Sequence, residues 1–140
     1  MKLFRSSKVI ILDADDNVLV LRRSKSHPRL PLKADLSGGI VHKDETHESG
    51  LIREIFEETK IEIPVRDLIL ADMYRHLYKL LFVRMERSLF AVRFNERPEV
   101  MISWEHDRFD WIPLKKVKDL ERPIQKQLDR AIKKGFFKTI

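Results

Sequence analysis

The chain has 140 residues, of which 43% are hydrophobic and 36% charged, with no cysteine and a formal net charge of +6. That length predicts a single domain over residues 1–140 with a sizeable core. The lack of cysteine excludes disulfides, thiolate metal sites and cysteine nucleophiles. No stretch approaches the ~20 apolar residues of a membrane span. No cleavage pattern follows the short apolar run near Met1, so a cytoplasmic protein without a membrane partner is expected. The positive balance suits a phosphate-bearing partner. Along the sequence the basic residues are scattered and mark no aromatic–basic platform, so the expected partner is a small phosphorylated molecule and not a nucleic acid.

Lys8 to Leu12 (KVIIL) reads as a buried strand, Asp13 to Asn17 as a turn, and Val18 to Leu21 as the hairpin partner. Arg22 and Arg23 follow at the strand end, where basic groups can face a substrate. Ser24 to Lys33 has two prolines and no period, and reads as a long loop carrying His27 and Arg29. Asp35-Leu36-Ser37 then leads into Gly38-Gly39, a pair that lets backbone approach a ligand closely. Thr46 is the expected N-cap of a helix. Leu51, Ile52, Ile55 and Phe56 form its apolar stripe, and Glu54, Glu57 and Glu58 share another face. Arg53 stands four residues before Glu57 and can pair with it. Beyond the helix, Ile61 to Ile63 and Leu68 to Tyr74 suggest strand. Leu77 to Val83 and Ser88 to Phe94 suggest a hairpin turning at Arg84–Arg87. Asn95 to Trp104 is a loop, Phe109 to Ile112 a strand, and Leu114 to Leu120 a short helical piece. A final helix runs from Pro123 to about Lys134, with Ile124, Leu128, Ala131 and Ile132 as its stripe.

Three carboxylates on one helical face repel one another unless a cation sits against them, and a hard divalent ion with oxygen ligands fits that need. The spacing is that of a known signature. Gly39, Glu45, Arg53, Glu54, Ile55, Glu57, Glu58 and Ile61 stand at the fixed offsets of the Nudix box, and the chain resembles the Nudix hydrolases from about Val9 to Leu114. Lys60 replaces the final glycine of the box. Its expected consequence is a changed helix ending, because glycine commonly caps a helix in the left-handed conformation. His42 and Asp44 stand where the longer form of the box often has Glu and Gly.

The resemblance implies an α/β fold: an α/β/α sandwich around a mixed sheet, with the catalytic helix after the Gly38-Gly39 loop and a C-terminal helix. It implies hydrolysis of a phosphoanhydride bond in a nucleoside diphosphate linked to another group, with a (d)NTP-like substrate expected and Mg2+ or Mn2+ as cofactor. Glu54, Glu57 and Glu58 are the implied metal ligands, supported by Glu45 and the Gly39 carbonyl. Glu54 is ligand or general base, and Arg53 holds Glu57 or a neighbouring carboxylate through a forked salt bridge. Glu99 and Glu105 are the candidates for a general base from a distant loop. Gly38, His42, Arg22 and Arg23 are the implied substrate contacts. Two alternatives stay open: a non-catalytic nucleotide-binding regulator, and an isopentenyl-diphosphate isomerase-like enzyme, whose chemistry usually uses a cysteine. Self-association is also left open.

Overall fold

The computed structural model describes residues 1–140. Seven strands make one sheet: β1 (Lys2–Leu12), β2 (Asn17–Arg23), β3 (Ala34–Asp35), β4 (Gly38–Ile40), β5 (Ile69–Tyr78), β6 (Val83–Arg93) and β7 (His106–Pro113). The main path is β3-β2-β1-β6-β5, with β4 paired to β1 and β7 to β2. β1 and β6 run parallel along their whole length, and every other pair is antiparallel. Helices α1 (His47–Thr59) and α2 (Arg122–Lys133) cover opposite faces.

The central strands are apolar at successive positions because both faces are covered. Val9, Ile11, Leu19, Leu21, Phe90 and Val92 pack on Leu51 and Ile55 of α1. Their neighbours Ile10, Leu12, Val18, Val20, Leu89 and Ala91 pack on Ile124, Leu128 and Ala131 of α2. This is the α/β/α sandwich that the resemblance implied. β1 meets β2 at Leu12↔Val18. Lower down, Ser6–Lys8 of β1 pairs instead with Gly38–Ile40 of β4, which brings the glycine pair beside α1. Gly38 has φ +133°, and a Cβ there would lie 2.1 Å from the Ser7 carbonyl oxygen, so this crossing needs glycine.

Several expected elements are corrected. β1 begins at Lys2 and not Lys8. The β5–β6 turn lies at Lys79–Phe82, not Arg84–Arg87, with Phe82 in the left-handed region at φ 53°. Residues 84–87 instead find partners across the ladder: Arg75 pairs with Glu86 at 3.2 Å, and Arg87 lies over the Tyr74 ring. Ile61 and Ile63 belong to no strand; they are buried as loop residues that close the α1 side of the core. Leu114 to Leu120 is helical only over Leu114–Lys116, as a 3-10 turn. Phe56 is 42% exposed and leaves the α1 stripe, while Leu51 and Ile55 are fully buried.

Thr46 caps α1 as expected, accepting from the Ser49 N–H, while Ser49 Oγ accepts from the Thr46 N–H, both at 3.0 Å. At the other end Lys60 takes the left-handed conformation, φ 63° and ψ 13°, and its N–H reaches the Phe56 carbonyl. The helix therefore closes as it would on a glycine, with a lysine bearing a steric cost of about 1 kcal/mol. The Lys60 ammonium lies 4.9 Å from the Phe56 ring centre, which is the only evident return. Lys60→Gly is expected to raise unfolding stability by about 0.5–1 kcal/mol. Urea titration checks this, and a lowered midpoint would refute it.

Candidate active site

The last turn of α1 meets the start of β4 through one carboxylate. Glu58 is 3% exposed, and its Oε1 accepts from Ser37 Oγ at 2.9 Å and the Gly38 N–H at 2.8 Å. Burial pushes the Glu58 carboxyl up to about 7, against the lowering influence of nearby Lys8 and the Gly38 N–H. One turn earlier Glu54 packs against Gly39, where an added Cβ would lie 2.8 Å from the Glu54 carboxyl carbon. Burial raises the Glu54 carboxyl too, opposed chiefly by Arg53. Glu57 points outward, its side chain 57% exposed. From their shared helical face the three carboxyls meet different surroundings: Glu58 turns into the protein, Glu54 onto the glycine and Glu57 to solvent. The helical wheel could not distinguish these directions, because β4 and its neighbouring loops decide them.

Arg53 sits among these acids. Its Nε donates to Glu45 Oε2 at 2.8 Å and its Nη2 to Glu45 Oε1 at 3.0 Å. Contacts to Glu54 at 3.2 Å and Glu57 at 3.4 Å are longer. The fork therefore closes on Glu45, with Glu57 only a loose partner. The guanidinium holds the Glu45 carboxyl down at about 2, helped by the His42 N–H, which donates to it at 2.8 Å. Arg5, unnoticed in the sequence, clamps the same turn by donating to the carbonyls of Glu45 at 2.8 Å and His42 at 2.7 Å. The His42 imidazole stays largely exposed, with Nδ1 3.4 Å from Glu45.

The remaining candidates divide. Glu105 sits on a loop docked against α1, where Met101 and Ser103 N–H groups donate to the Thr59 and Glu58 carbonyls at 2.9 and 3.2 Å. Its charge is close enough to raise the Glu54 carboxyl, and its own carboxylate is 3.6 Å from His27 Nε2. Glu99 is exposed and makes no ion pair or side-chain hydrogen bond. Arg22 pairs bidentately with Asp107 at 2.8 Å and lines a cavity of about 270 Å³ with Leu32, Ala34 and Arg108. No residue of the carboxylate cluster lines that cavity. Arg23 is buried in an ion-pair network with Asp35 at 3.3 Å and Glu121 at 3.7 Å, which ties β2 to β3 and the α2 N-terminus. That framework also holds His106, whose Nε2 is 3.0 Å from Asp35.

The donors fit a hard divalent cation by chemistry: they are carboxylate and backbone oxygens, on a glycine that leaves room for Glu54. Carboxyls raised by burial, Glu58 above all, are groups that such a cation would stabilise. No three of the acids and histidines converge into a ready-made cage, and Glu54 and Glu57 contact Arg53 only at 3.2 and 3.4 Å. Lys8 was also missed in the sequence. Its ammonium donates to Asp35 at 3.0 Å and to the Leu36 and Gly38 carbonyls at 3.0 and 3.1 Å, pinning the glycine loop from beneath. A lone cation opening the apolar run KVIIL was the available signal.

A carboxyl with a raised folded-state pKa binds more protons folded than unfolded, so its contribution to stability falls as pH rises between the unfolded value and about 7. In the metal-free protein Glu58→Gln is therefore expected to gain on wild type by about 2 kcal/mol between pH 5 and pH 8. Denaturant titrations at the two pH values measure this, and a constant difference would refute it.

A family model described as NUDIX domain matches residues 2–134. The chain is 23% identical over 141 aligned residues to a prenyl-diphosphate phosphatase of Methanosarcina mazei, covering 96% of this chain and 78% of that protein. Among solved structures it resembles a MutT protein from Methanosarcina mazei Go1, with TM-score 0.74 and 25% identity over 96% of each chain. It also resembles a MutT NUDIX hydrolase from Burkholderia pseudomallei, with TM-score 0.70 and 21% identity over 92% of this chain and 98% of that one. Nudix enzymes hydrolyse pyrophosphate-containing substrates and generally use divalent metal ions, which is the chemistry an oxygen-donor cluster beside a glycine-bared backbone serves; this chain belongs to the Nudix hydrolase family.

Proposed function

We propose that this enzyme cleaves the phosphoanhydride bond of a nucleoside diphosphate linked to another group, with a (d)NTP-like substrate and Mg2+ or Mn2+ as its ion. The observation that carries the reading is the Glu54 carboxylate packed on Gly39, within one turn of Glu57 and Glu58 and framed by the Arg53–Glu45 fork. Glu54, Glu57, Glu58 and the Gly39 carbonyl hold the ion in this reading. Bound there, it neutralises diphosphate charge and lowers the pKa of the attacking water. Glu45 and Arg53 set the shape of the loop and the direction of Glu54. Glu54 is ligand or base in this reading, and as base it is favoured by its place on Gly39 within one turn of Glu57 and Glu58. Glu105 is the second choice, facing Glu54 from the opposite loop, and Glu99 has no contact that supports a role. Water attacks one phosphorus, the bridging P–O bond breaks, and the departing phosphate keeps the bridging oxygen. His42 and Gly38 border the substrate, with Arg22 at a greater remove. A cytoplasmic location goes with this reading.

A prenyl diphosphate is the second reading. The Methanosarcina relative bears that substrate in its name. Trp104, 66% exposed, stands next to Glu105, and Leu30 and Leu32 are exposed on the loop that Glu105 touches through Ser24. These apolar groups suit a hydrocarbon tail as well as a base.

Product analysis on nucleoside triphosphates, dinucleotides, nucleotide sugars and prenyl diphosphates, each with and without Mg2+ or Mn2+, separates the two. Ion-dependent turnover of a nucleotide, reduced at least about 10²-fold in Glu57→Gln, is the expected result. Turnover of prenyl diphosphates alone would replace the first reading with the second. Failure of every substrate, or full activity in Glu57→Gln, would overturn both. Gly39→Ala pushes the Glu54 carboxylate aside, and kcat is expected to fall about 10²-fold while the unfolding midpoint hardly moves. A parallel loss of stability would show that the glycine serves folding instead.

A further inference from the structure

The face of the sheet opposite α1 carries a second arrangement that hydrolysis does not use. β5 is an edge strand. Asp72 of β5 bonds Gln127 and Arg130 of α2, which places Asp72, Tyr74, His76 and Tyr78 on the α2 face. The last three form a continuous row of rings. Tyr74 and His76 stack at 6.2 Å and 10°, and His76 meets Tyr78 edge-on at 4.4 Å. Beside them α2 presents Arg122, Lys126 and Arg130, four residues apart and so on one helical face. A cavity of about 340 Å³ between the two rows is lined by Tyr74, Tyr78, Arg87, Arg122, Lys126 and Arg130, with Pro123.

The charge there is uncompensated. Arg130 is neutralised by Asp72 at 2.9 Å, but Arg87, Arg122 and Lys126 have no carboxylate partner. Arg87 is instead laid over the Tyr74 ring at 5.5 Å. Two residues of strand advance about 6.6 Å and four residues of helix about 6 Å, so rings and cations repeat with nearly the same step. A single-stranded nucleic acid has that pattern: a flat base and a charged phosphate in every unit. Aromatic platforms beside a positively charged track bind it with little sequence preference.

We propose that the groove between β5 and α2 binds single-stranded nucleic acid, with bases on Tyr74 and Tyr78 and phosphates on Arg87, Arg122 and Lys126. A whole sheet separates this groove from the Glu54 cluster, so it is a second site. It is independent of which diphosphate the enzyme cleaves.

Fluorescence anisotropy of a labelled twelve-nucleotide oligo(dT), titrated with the full chain across a salt series, tests it. Tyr78→Leu is expected to weaken binding about tenfold. Arg122→Gln/Lys126→Gln is expected to weaken it and to lower the salt slope by about 1.4. Lys115→Gln/Lys116→Gln makes the same charge change elsewhere and is expected to do much less. Hydrolysis of whichever diphosphate the enzyme turns over should be unaffected in all of these variants. Three results would overturn the proposal: no binding by the wild type, equal losses in the two charge pairs, or competition by thymidine monophosphate as strong as by unlabelled oligo(dT). The second would mark mere attraction to a basic protein, and the third a mononucleotide pocket.

Discussion

The bond from the Gly38 N–H to the buried Glu58 carboxylate is the joint on which the active-site side of this molecule depends. It ties the last turn of α1 to the strand that crosses β1. A carboxylate is an expensive group to bury. Here two donors, Ser37 Oγ and Gly38 N–H, and Lys8 beneath the same loop offset that cost only in part. The loop itself has little freedom, because the Gly38 crossing leaves no space for a side chain. Beside that crossing, the Glu54 carboxyl lies against Gly39. The raised carboxyls of Glu54 and Glu58 follow from the same burial. Structure and reactivity at this site are therefore one constraint: what fixes the acids also makes them ready for a cation.

Charge pairing around the joint is hierarchical. Arg53 and Glu45 form the close fork, and Arg5 holds the turn that carries Glu45. Glu54 and Glu57 are held loosely by comparison. A frame that is tight in its outer pairs and loose at the acids of the proposed ion site leaves those acids free to meet a cation. Next to the Lys8 support, the buried Arg23, Asp35 and His106 and the partly buried Glu121 join β2, β3, β7 and α2. Arg22, its neighbour in sequence, is on the surface with Asp107. Two adjacent arginines thus serve different ends because alternate positions of a strand face opposite ways.

Where sequence reasoning failed, it failed for one reason. Residues 84–87 read as a hairpin turn in the sequence, but the chain turns at Lys79–Phe82. Those charged residues had cross-strand partners in Arg75 and Tyr74 that local sequence does not reveal. Phe56 and Glu58 exchanged their expected places in the same way. The helical period puts Phe56 with the core, but the core ends before it, and Glu58 enters because β4 offers it donors.

The sequence by itself determined the family, the sandwich, the Thr46 cap and the set of acids near the glycine pair. The cap and the acids follow from local spacing, and the sandwich follows only from the resemblance that the fixed offsets carry. Tertiary structure decided which acid is buried, which one Arg53 grips, that Lys8 and Arg5 support the loop, and that Tyr74 and Tyr78 face the cations of α2. Each of these depends on what a different element brings to the same place, and residue spacing carries no record of distances between elements far apart in the chain.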